Sequence, residues 1–131
     1  MKTKSQGFTI IELLFVIVLL GAATIIFFIQ KNNLEVGTRD DKRKVAINAM
    51  YYSLENVYYP AHNSYPVSIS SSVLTSVDPA LFTDPSGKAL GDTASTYRYQ
   101  ATDCTDNQCK SYTLRTTLEN EADYIKTSAH N

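Results

Sequence analysis

The stretch GFTIIELLFVIVLLGAATIIFFI, residues 7–29, decides how the rest of the chain is read. From Phe8 to Ile29 it is apolar apart from Thr9, Glu12 and Thr24, and Gly21 is its one helix-weak residue. At about 1.5 Å per residue this run makes a helix of roughly 33 Å, enough to cross a hydrocarbon core of about 30 Å. Ahead of it stands MKTKSQG, residues 1–7, with Lys2 and Lys4 and no acidic residue. Lysines on that side predict that this end stays in the cytoplasm and the rest of the chain lies outside.

Such a segment has three readings. A cleaved secretory signal needs an apolar region of about 7–15 residues followed by a small-x-small site. This run is longer, and it leaves through Ile25-Ile26-Phe27-Phe28-Ile29-Gln30-Lys31, which holds no small residue. An ordinary single-pass anchor explains the length and the lysines but not Glu12. A carboxylate at the centre of a spanning helix costs about 2.5–3.5 kcal/mol, less near the interface, and such residues tend to be functional.

The third reading is a resemblance. Gly7-Phe8-Thr9-Ile10-Ile11-Glu12-Leu13-Leu14 behind a short basic leader resembles the processing motif of type IV pilins and type II secretion pseudopilins. The resemblance covers Gly7 to Ile29. It implies that a prepilin peptidase cuts after Gly7 and methylates the new N-terminus, Phe8. It implies an assembly role for Phe8 and Glu12, the carboxylate of one subunit meeting the free amine of a neighbour. The chemistry agrees with this. Gly7 lets a protease approach the backbone closely, and a carboxylate deprived of water needs an opposite charge. One departure from the family is the late Pro of the apolar run. This chain has no Pro before Pro60.

The chain has 131 residues and a formal net charge of −1. Losing residues 1–7 removes Lys2 and Lys4 and leaves ten basic against thirteen acidic side chains, a balance of −3. That is not the basic surface of a bulk-charge nucleic-acid binder. The expected organisation is a leader at 1–7, a membrane or filament-core half-helix at 8–29, an amphipathic half-helix at 30–59 and a loop-rich β-sheet head at 60–131. The fold class is α+β, a long helix packed on a small antiparallel meander. Within 30–44 the run Arg39-Asp40-Asp41-Lys42-Arg43-Lys44 reads as a solvated face. Gly37 and Asn32-Asn33 are places where a bend costs little. Ile47, Met50, Leu54, Val57 and Tyr58 form one apolar stripe at helical spacing, and Pro60 with the turn-forming Ala61-His62-Asn63-Ser64 is expected to stop the helix.

In the head a short helix is expected at Ser70–Val77. Tyr97, Tyr99 and Ala101 alternate with polar residues, as do Tyr112, Leu114, Thr116 and Leu118, so both segments read as half-buried strands. Tyr124-Ile125-Lys126 is a candidate third strand. Cys104 and Cys109 fall at the tip between the first two. A disulfide fits a head outside the cytoplasm. Two free thiols are the alternative, and a zinc site lacks nearby ligands. Asp78, Asp84, Asp92, Asp103 and Asp106 offer carboxylates for calcium but without EF-hand spacing, so turn and cap roles are expected for them.

No enzyme is expected. The chain shows no Ser/His/Asp order, no phosphate-binding glycine loop and no paired metal-binding His, and no cofactor or metal is anticipated. The expected partners are prepilin peptidase, other pilin subunits, an inner-membrane assembly platform and, before assembly, the lipid bilayer. The nine tyrosines pack the helix on the sheet, and any exposed ones are candidates for contact with DNA or a surface. The expected location is a single pass through the cytoplasmic membrane with the head outside, then a filament at the cell surface. The function this implies is a subunit of a type IV pilus serving adhesion, twitching motility or DNA uptake. Its alternatives are a secretion pseudopilin and a monomeric anchored binding domain.

Overall fold

The computed structural model describes residues 7–130. The expected leader cut falls at its edge, since residues 1–6 lie outside the described residues. The chain divides between Glu35 and Val36 into two compact units. One α-helix, α1 (Ile10–Ser53), passes through both, unbroken at Gly21 and Gly37.

In the first unit the helix stands with its apolar side chains uncovered, Phe15, Ile17, Leu20, Ile25, Phe27 and Phe28 among them. It is long and apolar enough to cross a membrane. In the second unit the helix presents Ala46, Ile47, Met50 and Leu54 to the core, all fully buried. Beyond Ser53 the ladder widens into a π turn (Leu54–Tyr58), where the Tyr59 N–H donates to the Leu54 carbonyl, five residues back. A final turn, α2 (Tyr59–His62), ends at Asn63, which is left-handed with φ 53° and donates its N–H to the Tyr59 carbonyl.

The helix ends within the expected stop segment, at Asn63 rather than at Pro60 itself. Pro60 enters at the start of α2, where a new helical turn needs no N–H from it. One expectation is corrected: the apolar stripe fails beyond Leu54, because Val57 is 53% exposed and Tyr58 only half-buried. A π turn holds one residue more per hydrogen-bonded ring, so it rotates the next residues out of α-helical phase. Glu55 is buried there instead.

The sheet is antiparallel. β1 is Tyr65–Pro66, β2 is Tyr97–Thr105, β3 is Gln108–Thr116 and β4 is Tyr124–Thr127. β2, β3 and β4 form the expected meander, with β3 in the middle. β1 is an addition to it. It shares an edge of β3 with β4, pairing Tyr65 with Cys109, while β4 pairs Thr113 through Thr116. The alternation on β3 holds from Tyr112 on, since Tyr112, Leu114 and Thr116 are all buried, and Cys109, out of that phase, is buried as well. These side chains meet the helix face, and with Tyr65, Ile69, Leu74, Val77, Phe82 and Tyr97 they complete the core.

Ser70–Val77 is not a helix. The bond from the Leu74 N–H to the Ser70 carbonyl makes one turn that does not propagate. Ser, Thr and β-branched Val residues leave little to offset the cost of nucleation. A 3₁₀ turn, Pro79–Phe82, forms instead, with the Asp78 side chain accepting from the Ala80 N–H at 2.9 Å.

Candidate functional site

The N-terminal segment holds the residues of greatest interest. Gly7, Phe8 and Thr9 precede the helix. A Cβ placed on Gly7 would meet nothing within 4 Å. The described residues therefore make no steric demand for glycine there. Thr9 caps the helix, its hydroxyl accepting from the Glu12 N–H at 3.4 Å and its carbonyl from the Leu13 N–H at 3.1 Å. Thr-x-x-Glu is the capping-box spacing, a signal that the sequence carries on the same residues as the processing motif. An acidic side chain in the first turn also complements the positive end of the helix dipole.

The polar residues of the apolar run are thus differently placed. Thr9 caps, and the Thr24 hydroxyl folds back onto the Leu20 carbonyl at 2.7 Å. The Glu12 carboxylate is solvent-exposed and has no side-chain partner among the described residues. Phe8 is 79% exposed. Four positions apart, these two offer an aromatic ring and a carboxylate that the unit itself leaves uncovered.

The second unit treats its charges in the opposite way. The run Arg39–Lys44 is not the expected solvated face, for Asp40 and Arg43 are 3% and 2% exposed. The Asp40 carboxylate accepts from the backbone N–H groups of Glu119 (3.0 and 3.1 Å) and Asn120 (3.3 Å) and from Arg43 Nη1 at 2.7 Å. Arg43 also donates to Glu119 at 2.8 Å, and Arg39 grips the same carboxylate with Nε and Nη2 at 2.8 and 2.6 Å. Lys44 holds Glu121 at 2.8 Å. Burial pushes the Asp40 carboxyl up, but the donors from Glu119, Arg43 and Asn120 outweigh it and hold it below the usual range. Hydrogen bonds from Arg39 and then Arg43 bring Glu119 down to about 2. This cluster fastens the helix to the loop between β3 and β4. Its one sequence signal was charge of both signs at helical spacing opposite an acidic loop.

A second polar node lies at the π turn. Buried Glu55 accepts from the Tyr112 hydroxyl at 2.7 Å, the Tyr65 hydroxyl at 2.9 and 3.1 Å and the Ala129 N–H at 3.2 Å. Burial, and then the bond to Glu55, pushes the Tyr112 and Tyr65 phenols well above their usual range.

Cys104 and Cys109 are joined in a disulfide, opposed in register across β2 and β3. The hairpin turns through Asp106 and Asn107, both left-handed at φ 51° and 63°, a two-residue connection of the type that Asp and Asn favour. The acidic side chains considered for calcium are dispersed. Asp84 is buried and accepts from the N–H groups of Ser86, Lys88 and Thr96, and Asp92 accepts from the Ala94 N–H. Among the described residues no group of three or more His, Cys, Asp or Glu is arranged to hold a metal ion.

Residues 2–28 match the family described as the prokaryotic N-terminal methylation motif. No curated protein and no solved structure matches the chain. The motif, a prepilin-type leader, is consistent with the type IV pilin and pseudopilin family. It supports that class for this chain and implies processing by a prepilin peptidase and assembly with other pilin subunits. With the apolar helix it fits a membrane-anchored protein that becomes pilus-associated.

Proposed function

We propose that this chain is a structural subunit of a type IV pilus, cut between Gly7 and Phe8 and polymerised through its apolar helix. The observation that carries the reading is the exposed carboxylate of Glu12, unpartnered among the described residues of its own chain, inside a segment that matches the methylation motif. Cleavage makes an α-amine at Phe8. In the assembled filament that amine lies against Glu12 of a neighbouring subunit, where water is scarce and the pairing sets axial register. Among the described residues nothing lies within 4 Å of a Cβ placed on Gly7, which supports a role for this glycine toward the peptidase. The head lies outside the cytoplasmic membrane, as Lys2 and Lys4 favour, and an assembly platform in that membrane receives the processed subunit.

The motif serves pilins and secretion pseudopilins alike. The disulfide of the head and its Ser/Thr-rich loops favour the pilus. The test is the mass of the N-terminal peptide from the native cell. A methylated Phe8 is expected, and a chain still beginning at Met1 beside an active prepilin peptidase would leave a monomeric anchored domain in its place.

A further inference from the structure

The sheet of the head ends in β2 on one side and in β1 and β4 on the other. Single bonds fix which backbone groups face outward on each edge. The Thr117 N–H donates to the Thr96 carbonyl at 3.3 Å, one step before the pair Tyr97 and Thr116 in the β2–β3 register. Antiparallel partners alternate between bonded and unbonded pairs. The backbone groups of Arg98 and Gln100 therefore face β3, and those of Tyr97, Tyr99 and Ala101 face away. At Tyr97 the outward groups are capped, the N–H by Ser95 Oγ at 3.1 Å and the carbonyl by Arg98 Nη1 at 2.8 Å. Those of Tyr99 and Ala101 have no partner among the described residues. On the opposite edge the Ser128 N–H donates to the Tyr112 carbonyl at 3.1 Å. By the same alternation Lys126 faces β3, and Ile125 and Thr127 face away, unpartnered on that side among the described residues. Gln100, Ile125 and Thr127 are exposed. β1 offers no comparable edge, being two residues long with a proline that lacks an N–H.

We propose that the outer edge of β4 in one copy of the chain pairs in parallel with the outer edge of β2 in the next, joining the heads into one sheet. The inference rests on the reading of this chain as a filament subunit. β2 and β4 both run antiparallel to β3 and so run parallel to each other. Copies that face the same way, as repeats of a head-to-tail polymer do, bring these two edges together in parallel. In a parallel ladder a residue facing its partner bonds to the residues before and after the one level with it. Ala101 donates to the Ile125 carbonyl of the next copy and accepts from its Thr127 N–H. Tyr99 donates to the Asp123 carbonyl and accepts from the Ile125 N–H. This register sets Tyr99 level with Tyr124 and Ala101 level with Lys126. The faces agree, because Tyr99, Ala101 and Tyr124 all pack toward their own core and Lys126 lies over the Tyr51 ring of the helix. Both heads thus keep their helices on the same side of the joint sheet. Antiparallel pairing would instead set Ile125 and Thr127 beside Ala101 and Tyr99 and turn one head over. Open edges recruit strands, and this joint occupies both of them at every repeat.

The test is photo-crosslinking in sheared filaments that carry p-benzoylphenylalanine in place of Gln100, the position level with Ile125 of the next copy. Adducts between copies at residues 123–127, located by mass spectrometry, are expected. Adducts to β2 of another copy, adducts elsewhere, or none at all overturn the joint and leave the filament reading standing. A parent chain that yields no filaments sinks the filament reading and the joint with it. If the probe at position 100 blocks assembly, it is moved to position 125, where adducts at residues 98–102 are expected and any other pattern overturns the joint. Proline gives a second measure. Ala101→Pro and Thr127→Pro each delete one outward N–H, at a place where an edge strand accommodates proline. Each should lower filament yield about five- to tenfold, with the thermal transition of the head unmoved. Parental yield from either variant with a folded head overturns the joint.

Discussion

Glu12 and Asp40 sit on one helix, 28 positions apart, and meet opposite fates. Asp40 is almost fully buried, with Arg43 and two backbone N–H groups of the β3–β4 loop directed at it. Glu12 lies on an apolar helix that nothing in its own unit covers, and its carboxylate has no partner among the described residues. Asp40, Arg43 and Glu119 find charged partners within the second unit, with only Arg43 Nε buried and unpartnered among the described residues. The first has one acidic group in its apolar run, unpartnered among the described residues, which the proposed function pairs with a neighbouring subunit. A soluble domain gains nothing from leaving a carboxylate unpaired along an apolar face, whereas a polymerising helix gains a specific partner at each repeat. On the proposed function, charge satisfaction separates what this chain does for its own fold from what it offers to other subunits.

The comparison breaks most visibly at Glu12. Glu12→Ala should reduce sheared filament yield on the order of a hundredfold, since removing one member of a buried ion pair strands the other. The thermal transition of the head should stay within about 0.5 kcal/mol of the parent. Normal filaments from that variant would remove the assembly role. Asp40→Ala should behave in reverse. It leaves the Arg43 guanidinium buried beside its remaining partner Glu119 and orphans two backbone N–H groups, at a cost of about 3–5 kcal/mol in chemical denaturation. Asp41→Ala, at the exposed neighbouring position, should change stability by less than about 0.5 kcal/mol. Equal effects at 40 and 41 would mean that the cluster is the solvated face its sequence suggests.

That pair of neighbours also shows what is legible in the sequence. The apolar run, the meander and the processing motif can be read because each rests on a local pattern: unbroken hydropathy, alternation, and fixed residues at short spacing. The burial of Asp40 and Arg43 cannot, because it depends on the Glu119–Asn120 backbone about eighty positions away. Glu55 is hidden for another reason. It enters the core through a π turn, and helical periodicity assumes constant phase, which places Val57 and Tyr58 inward in its stead. β1 is two residues long, too short for alternation to register. The Thr9 cap is within reach, since Thr-x-x-Glu is a sequence pattern, but the processing motif occupies the same residues.

Within the head, the Glu55 node offers a graded version of the contrast. Tyr112→Phe removes a 2.7 Å bond to a buried carboxylate and should cost about 1.5–3 kcal/mol. Filament yield should fall only as far as head stability does. A filament defect larger than the stability loss would move this tyrosine into the group that serves partners. Replacing Cys104 and Cys109 together by Ser opens a short loop of the hairpin. On chain entropy alone this should cost about 2 kcal/mol, read by denaturation against the disulfide-intact parent.

The smallest effect concerns pH. Glu119 is about one-third exposed, and its carboxyl is held at about 2 against an ordinary 4.5 by Arg39 and Arg43. A carboxylate depressed on folding contributes stability that is full above its unfolded value and lost as pH falls toward its folded value. The helix-to-loop fastening should therefore be complete above pH 4.5 and weaken progressively between 4.5 and 2. Asp40, lowered from 3.8 by donors on the same loop, reinforces that slope. Glu119→Gln should flatten the denaturation-versus-pH curve in this interval and leave it parallel to the parent above it. Glu12→Ala should leave the whole curve of the head unchanged, because its carboxylate has no partner among the described residues of its own chain and so nothing to lose in the monomer. A shift of the monomer's acid transition on removing Glu12 would show that the two carboxylates are not separated as their surroundings indicate.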